Sequence, residues 1–216
     1  MIRLKAVDLK KQKIDTLIVP VCENKKIHDD RLIDGIIKKA LQLKEFKGEK
    51  EDQVTLYDFK GLATERIICA GLGPFKKIDP EALRAFCGAV VSRCMQAGFE
   101  NIWFAVPAAE KLKMEMPDVV EAMMEGACLG NHVFGKYKKE KKKKPLKQIN
   151  FRINKGVSGN LRKIAPKVST ICAGTILARE WINTPSNDKT PEQFTRSIVS
   201  KARKYGLKTR VLREKD

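Results

Sequence analysis

The chain has 216 residues, 43% hydrophobic and 6% aromatic, which suffices for one well-packed domain with an appendage. Its formal net charge of +18 favours encounters with polyanions but says nothing about the fold. No stretch approaches the ~18 uncharged apolar residues of a membrane span, and residues 1–5 lack the apolar core of a signal peptide, so we expect a cytoplasmic protein without membrane contact.

Predicted strands and helices alternate along the first 153 residues. Short apolar or alternating runs predict strands at 2–7, 14–21, 54–57, 66–70, 101–106 and 146–153. Apolar residues at three- and four-residue spacing predict helices around 32–41, 79–97 and 117–128. This alternation predicts a three-layer α/β domain with helices on both faces of the sheet. The strict alternation of the last strand, 146–153, places it near a sheet edge.

A polar segment, 154–160, follows the predicted sheet domain and is the best candidate for a domain boundary. Apolar residues between 168 and 182 then recur with a period of about 3.6, which predicts a linker helix. A further helix is expected from Glu192 to Tyr205, followed by a strand at 207–212. The predicted divisions of the chain are 1–154, 155–183 and 184–216.

A short glycine motif, Gly71-Leu72-Gly73, separates a predicted strand from a predicted helix. Such a loop can cradle a phosphate group, although the motif is too short for a dinucleotide-binding fingerprint. We favour a tight turn in which glycine supplies a positive φ.

Cysteine and histidine offer little evidence for a metal site. The six cysteines are scattered without a CxxC pair, so we interpret them as small buried hydrophobic residues. The two histidines, His28 and His132, have no metal-ligand spacing to a cysteine. We interpret both as helix-end or surface residues rather than as catalytic bases.

A lysine run between residues 136 and 147 carries a net charge of +7. Lysine binds phosphate groups independently of nucleic-acid sequence, so the run could contact DNA or RNA. A block of like charge is more often a solvated loop, and only Tyr137 lies nearby for base stacking. The candidate polyanion contacts are Lys138, Lys139, Lys141, Lys142, Lys143 and Lys144.

The segment 183–191 predicts a helix exit, a rigid turn and a helix entry. Thr184 precedes a proline and is therefore biased away from helical dihedral angles. Thr190 is a predicted N-cap, with Gln193 placed to complete a capping box. The motif residues are Asn183, Thr184, Pro185, Asn187, Asp188, Thr190 and Pro191.

This motif, together with residues 178–182 before it, resembles the domain junction of leucyl aminopeptidases, also called cytosol aminopeptidases. Weaker similarities to the same family occur in the same order at 15–21, 46–50, 66–73, 126–138 and 206–216. The resemblance implies a macro-domain-like mixed sheet, followed by a linker helix and a short βα remnant of the catalytic domain. It also implies assembly into hexamers.

In that family the catalytic domain, which follows the junction, binds two divalent metal ions of the Zn or Mn type. The family's Asn-Thr-Asp-Ala-Glu-Gly-Arg motif does not occur here, so we predict no catalytic, metal-binding or cofactor-binding residue in this chain. The resemblance implies a non-catalytic scaffold and oligomerisation domain whose partner is its own catalytic domain. The parent would remove N-terminal amino acids from peptides, while this chain alone would be inactive. The alternative is a standalone basic module that binds DNA or RNA.

We also expect the tail, 192–212, to be poorly ordered or to dock on another molecule.

Overall fold

A computed structural model of the chain describes residues 1–137, 144–154, 156 and 158–212. Contacts within the chain divide it into two units, Met1–Ala173 and Gly174–Asp216. The described strands are β1 (Ile2–Ala6), β2 (Ile14–Cys22), β3 (Gln53–Tyr57), β4 (Thr64–Gly73), β5 (Asn101–Ala105) and β6 (Gln148–Ile153). The described α-helices are α1 (Arg31–Leu41), α2 (Pro80–Gln96), α3 (Ala109–Leu112), α4 (Met116–Gly130), α5 (Gly159–Asn183) and α6 (Pro191–Lys204).

The six strands form one sheet in the order β1-β6-β5-β2-β4-β3. Strand β3 runs antiparallel to β4, and every other pairing is parallel. The sheet is therefore mixed, with its antiparallel strand at one edge, and the predicted fold class is confirmed.

Helices cover both faces of the sheet, because successive residues of its central strands point to opposite sides. In β2, Leu17 and Val19 join a core cluster that includes α1. Between them, Ile18 joins a larger cluster with α2, α4 and the first half of α5. Helices α2 and α4 approach so closely that a Cβ atom on Gly126 would lie 2.0 Å from the Arg84 carbonyl oxygen.

Strand β6 is the second strand from one edge of the sheet, as its predicted position near an edge requires, and is hydrogen-bonded to β1 on one side and β5 on the other. Its polar positions, Asn150 and Arg152, are only 2% and 7% exposed. The alternation that suggested one solvent-facing side reflects instead a buried polar cluster, because Arg152 is paired with Asp30.

The glycine motif also differs from the prediction, because β4 continues as a strand through Gly73. The Gly71 N–H donates to the Asp52 carbonyl oxygen and the Gly73 N–H to that of Gly48. A Cβ atom on Gly71 would lie 1.8 Å from the carbonyl oxygen of Glu49. Glycine is needed here for the close passage of another backbone segment. Gly73 does adopt a positive φ, of 84°.

The boundary between the two units falls within the residue range of α5. In its first half, Val168 and Cys172 are buried, whereas Ile182 near its end is 77% exposed. The predicted apolar stripe is therefore buried only in its first part.

The second unit continues with a 3₁₀ turn at Ser186–Asp188 and with α6. The strand predicted at 207–212 does not form. Among the described residues this segment has no strand neighbour to share backbone hydrogen bonds, and an isolated strand is not stable in water. Leu207 and Leu212 are 65% and 71% exposed. None of the described helices is long and apolar enough to cross a bilayer.

Candidate functional site

The junction motif folds as a helix exit, a turn and a helix entry. Asn183 is the last residue of α5, and the Thr184 hydroxyl donates to the Glu180 carbonyl oxygen at 2.7 Å. Thr190 is the N-cap of α6, with Pro191 in the first turn. The Gln193 N–H donates to Thr190 Oγ1 at 3.4 Å, and the Thr190 N–H donates to Gln193 Oε1 at 3.0 Å. The predicted capping box is therefore present, while a functional role for the motif stays a prediction.

Trp181 fixes the angle between the end of α5 and the start of α6. Its ring and that of Phe194 form a T-shaped pair, with 5.2 Å between centroids and an interplanar angle of 88°. Its indole N–H donates to Ser197 Oγ at 3.0 Å, and Lys189 Nζ donates to the Trp181 carbonyl oxygen at 2.6 Å. These contacts hold the end of α5 against the start of α6, and we call this arrangement around Trp181 the junction corner. Sequence spacing did not reveal this role of Trp181.

The lysine run falls mostly outside the described residues. Lys138, Lys139, Lys141, Lys142 and Lys143 are among those not described, whereas Lys144 is exposed. Polyanion contact by this run stays a prediction.

Within the described ranges, no three His, Cys, Asp or Glu side chains converge as metal ligands would. Five of the six cysteines are buried, and Cys128 is partly so. Burial raises the pKa of both Cys69 and Cys94 to about 12. These thiols are therefore protonated at neutral pH and pack as small hydrophobic side chains.

A buried polar cluster lies at the carboxyl end of β6, and no local sequence pattern indicates it. Arg152 Nη1 donates to Asp30 Oδ2 at 2.5 Å, while Nη2 donates to Asn154 Oδ1 at 3.1 Å and Nε to the Val7 carbonyl oxygen at 3.3 Å. Asp30 is also the N-cap of α1, because its Oδ1 accepts from the Leu32 N–H. Burial alone would raise the pKa of Asp30, but the hydrogen bond and charge of Arg152 hold it below the ordinary value.

His28 belongs to the same region and is 2% exposed, so of its two predicted positions the surface one is wrong. It lies shortly before Asp30, the N-cap of α1. Its Nε2 lies 2.7 Å from the Pro20 carbonyl oxygen. Burial lowers the pKa of His28 to about 4, so the ring is neutral at pH 7. A carbonyl oxygen can only accept, so Nε2 carries the proton and Nδ1 is an acceptor.

The Gly71–Gly73 backbone offers no phosphate cradle, since the Gly71 and Gly73 amides donate to the carbonyl oxygens of Asp52 and Gly48.

Known proteins share this arrangement of sheet and helices. A model of the cytosol aminopeptidase family, N-terminal domain, matches residues 18–141, more than half of the chain. The chain belongs to the cytosol aminopeptidase family. The matched region contains the second half of β2, all of β3 to β5 and α1 to α4, and thus most of the sheet domain.

Curated relatives of this cytosol aminopeptidase family member are longer proteins. A probable cytosol aminopeptidase from Clostridium perfringens is 26% identical over 203 residues, which cover 93% of this chain and 41% of the relative. The chloroplastic neutral leucine aminopeptidase of Solanum lycopersicum is 29% identical over 87% of this chain and 35% of its own length. The chain thus spans about two-fifths of the length of the relatives it matches.

Solved structures share the fold. A mutant of tomato leucine aminopeptidase superposes with a TM-score of 0.74 at 23% identity, over 95% of this chain and 42% of that one. A bottromycin maturation enzyme superposes with a TM-score of 0.68 at 19% identity, over 90% of this chain and 38% of that enzyme.

Proposed function

We propose that this chain is the N-terminal, non-catalytic part of a metal-dependent leucyl aminopeptidase, a hydrolase that removes N-terminal amino acids from peptides. The observation that carries this proposal is the match of residues 18–141 to the N-terminal domain of the family. The share of the relatives that the chain covers supports it, since over half of each relative lies outside the matched part.

The second unit supports a scaffolding role through its apolar surface. None of the α6 side chains is buried, although Phe194, Ile198 and Val199 form an apolar stripe at helical spacing. Tyr205 and Leu207 beyond it are 64% and 65% exposed. Exposed apolar groups of this kind mark surfaces that another protein domain covers. We propose that the catalytic domain of the parent covers them, starting at the junction corner.

The chemistry of the parent would come from two divalent metal ions of the Zn or Mn type, which polarise the peptide carbonyl and activate water when bound. We propose that their ligands lie in the part of the parent that this chain does not contain. This chain would position that part and take part in a hexamer, in a cytoplasmic location.

Activity assays on two proteins test this proposal. The purified 216-residue chain, supplied with Mn²⁺ or Zn²⁺, should release no leucine from a leucyl peptide. The full-length protein isolated from the source cells should release it and should lose this activity with a chelator. Metal-dependent release by the 216-residue chain alone would contradict the non-catalytic role.

A further inference from the structure

Two cysteine thiols from different helices meet in the first unit, Cys128 of α4 and Cys172 of α5. Both are free cysteines. The Cys128 thiol is in side-chain hydrogen-bond contact with the Cys172 thiol. The pair therefore brings together two sulfur atoms that are far apart in sequence.

Two contacts fix how α5 lies along α4. Lys167 Nζ lies 2.6 Å from Glu121 Oε1. About one turn further along each helix, Cys172 Sγ lies 4.0 Å from the Glu125 carbonyl oxygen. The two helices therefore run side by side and in the same direction over this stretch.

The Cys128 side chain leans toward the second of these contacts. Side chains of an α-helix point back toward its N-terminus, so each covers the turn that precedes its own Cα. Cys128 is three residues after Glu125 and lies on the same face of α4. It therefore covers the turn that Cys172 Sγ touches. Helix geometry and the thiol–thiol contact thus place the two sulfur atoms together independently.

The two thiols differ in their access to solvent. Cys128 is partly exposed, whereas Cys172 is only 1% exposed. Burial raises the pKa of the Cys128 thiol, but the hydrogen bond with Cys172 and the charge of the N-terminal amine of Met1 oppose this rise. The thiolate is the form of cysteine that attacks an oxidant. Cys128 is therefore the sulfur that an oxidant reaches first, with Cys172 beside it to complete a disulfide.

We propose that Cys128 and Cys172 are a redox-sensitive pair that a hydroperoxide oxidises to a disulfide. The Cys128 thiolate attacks the O–O bond of the peroxide, which gives a sulfenic acid and, with the thiol proton, one water. The Cys172 thiolate then attacks the Cys128 sulfur, so that the S–S bond forms and the hydroxyl group leaves as a second water. The two thiols are oxidised and the peroxide is reduced. A dithiol reductant reverses the change.

The disulfide would hold α5 at the point where its burial ends. The buried residues of α5 are Leu161, Ile164, Val168 and Cys172, and Cys172 is the last of them. In the reduced protein this end of the buried stretch is held by non-covalent contacts. A covalent bond to α4 restricts its local opening. The pair lies wholly in the first unit, so the proposal does not depend on the peptidase activity of the parent.

Peptide mass spectrometry of the 216-residue chain tests the proposal, with hydrogen peroxide as the oxidant and iodoacetamide added in urea to block the thiols that remain. One cross-linked peptide pair, with Cys128 joined to Cys172, should appear, and the intact mass before blocking should fall by about 2 Da. Dithiothreitol should restore all six free thiols. A disulfide between other cysteines would overturn the proposal. So would a sulfinic acid at Cys128 without a cross-link, or unreacted thiols at a dose that oxidises free cysteine.

Variants assign the two roles. Cys128→Ser should abolish the cross-link and leave the buried Cys172 reduced. Cys172→Ser should also abolish it, but Cys128 should then stop at the sulfenic acid, which dimedone traps. Cys94→Ala is the matched control, because it removes a buried thiol from α2 and should leave the cross-link intact. Loss of the cross-link in this control would contradict the assignment. If a variant fails to fold, the peptide map of the unsubstituted chain still decides.

Amide hydrogen exchange tests the effect on α5. Oxidation should slow exchange of the amides of residues 161–172 at least about threefold, because the disulfide opposes local opening of the helix. Cys128→Ser should show no such slowing after the same treatment. Unchanged exchange in fully cross-linked protein would refute the effect on α5.

Discussion

The Arg152 guanidinium donates to the Asp30 carboxylate across 122 residues of sequence, with the two side chains only 8% and 11% exposed. The pair joins the end of β6 to the N-cap of α1. A buried charge left without its partner is costly, so the pair makes both elements depend on each other.

Removal of one partner of this pair should destabilise the chain strongly. Arg152→Met leaves Asp30 buried and unpaired and should lower the free energy of unfolding by about 3–5 kcal/mol in urea denaturation. Adding Asp30→Asn, which retains the N-cap, should recover part of this loss. Lys147→Met breaks an exposed pair with Glu100 and should cost at most about 1 kcal/mol. Equal losses for Arg152→Met and Lys147→Met would contradict the buried cluster.

Stability should fall below neutral pH because His28 is buried in its neutral form. Its pKa is about 4 in the folded chain, against an ordinary value of 6.5, so the unfolded chain takes up a proton first. The stability is complete above about pH 6.5 and declines toward pH 4, by up to about 3 kcal/mol. Asp34 and Asp30 oppose this depression and Arg152 adds to it.

Urea denaturation at a series of pH values measures this dependence, with His28→Gln as the control. The variant should lack the decline between about pH 6.5 and 4 that His28 causes. Asp30, with its lowered pKa, contributes a further loss only as the pH falls through its folded pKa, below the ordinary value of 3.8. The same slope in both proteins would show that His28 is not the titrating group.

Substitution of a glycine by alanine should have opposite effects inside and outside the close contact between α2 and α4. Gly126→Ala forces a Cβ atom against the Arg84 carbonyl oxygen and should cost about 1–3 kcal/mol or more. Gly174→Ala lies in α5, where the described structure places nothing within 4 Å, and should stabilise by up to about 1 kcal/mol. Thermal unfolding of both variants tests the packing, and a neutral Gly126→Ala would refute it.

Loss of the N-cap of α6 should have a local effect on the stability of that helix. Thr190→Ala removes the capping box and should cost about 1 kcal/mol, which raises amide exchange in α6 about fivefold. Ser200→Ala changes an exposed hydroxyl within the same helix and should not raise exchange. Amides of the central strand β2 should exchange as before in both variants. An unaltered α6 in Thr190→Ala would mean that the cap does not hold this helix.

The sequence predicted elements whose signals are local. The capping box of Thr190 and Gln193 could be predicted because both residues lie within one helical turn. Most helices and strands could be predicted for the same reason, because the spacing of their apolar residues is a local pattern.

Features that depend on residues distant in sequence could not be predicted. The neutral, buried His28 depends on residues from several elements, and Arg152 pairs with a residue from another part of the chain. The polar alternation of β6 therefore mimicked a half-exposed strand. At 207–212 the local pattern suits a strand, but a strand also needs a neighbour, and the described residues supply none.

The size of the native protein in its source cells tests the central claim most directly. An immunoblot with antibody raised against this chain should show a band more than twice as heavy as its 24.4 kDa, because the chain covers about two-fifths of its relatives. A single band at 24.4 kDa would contradict the account, since the sheet domain would then occur without a catalytic domain.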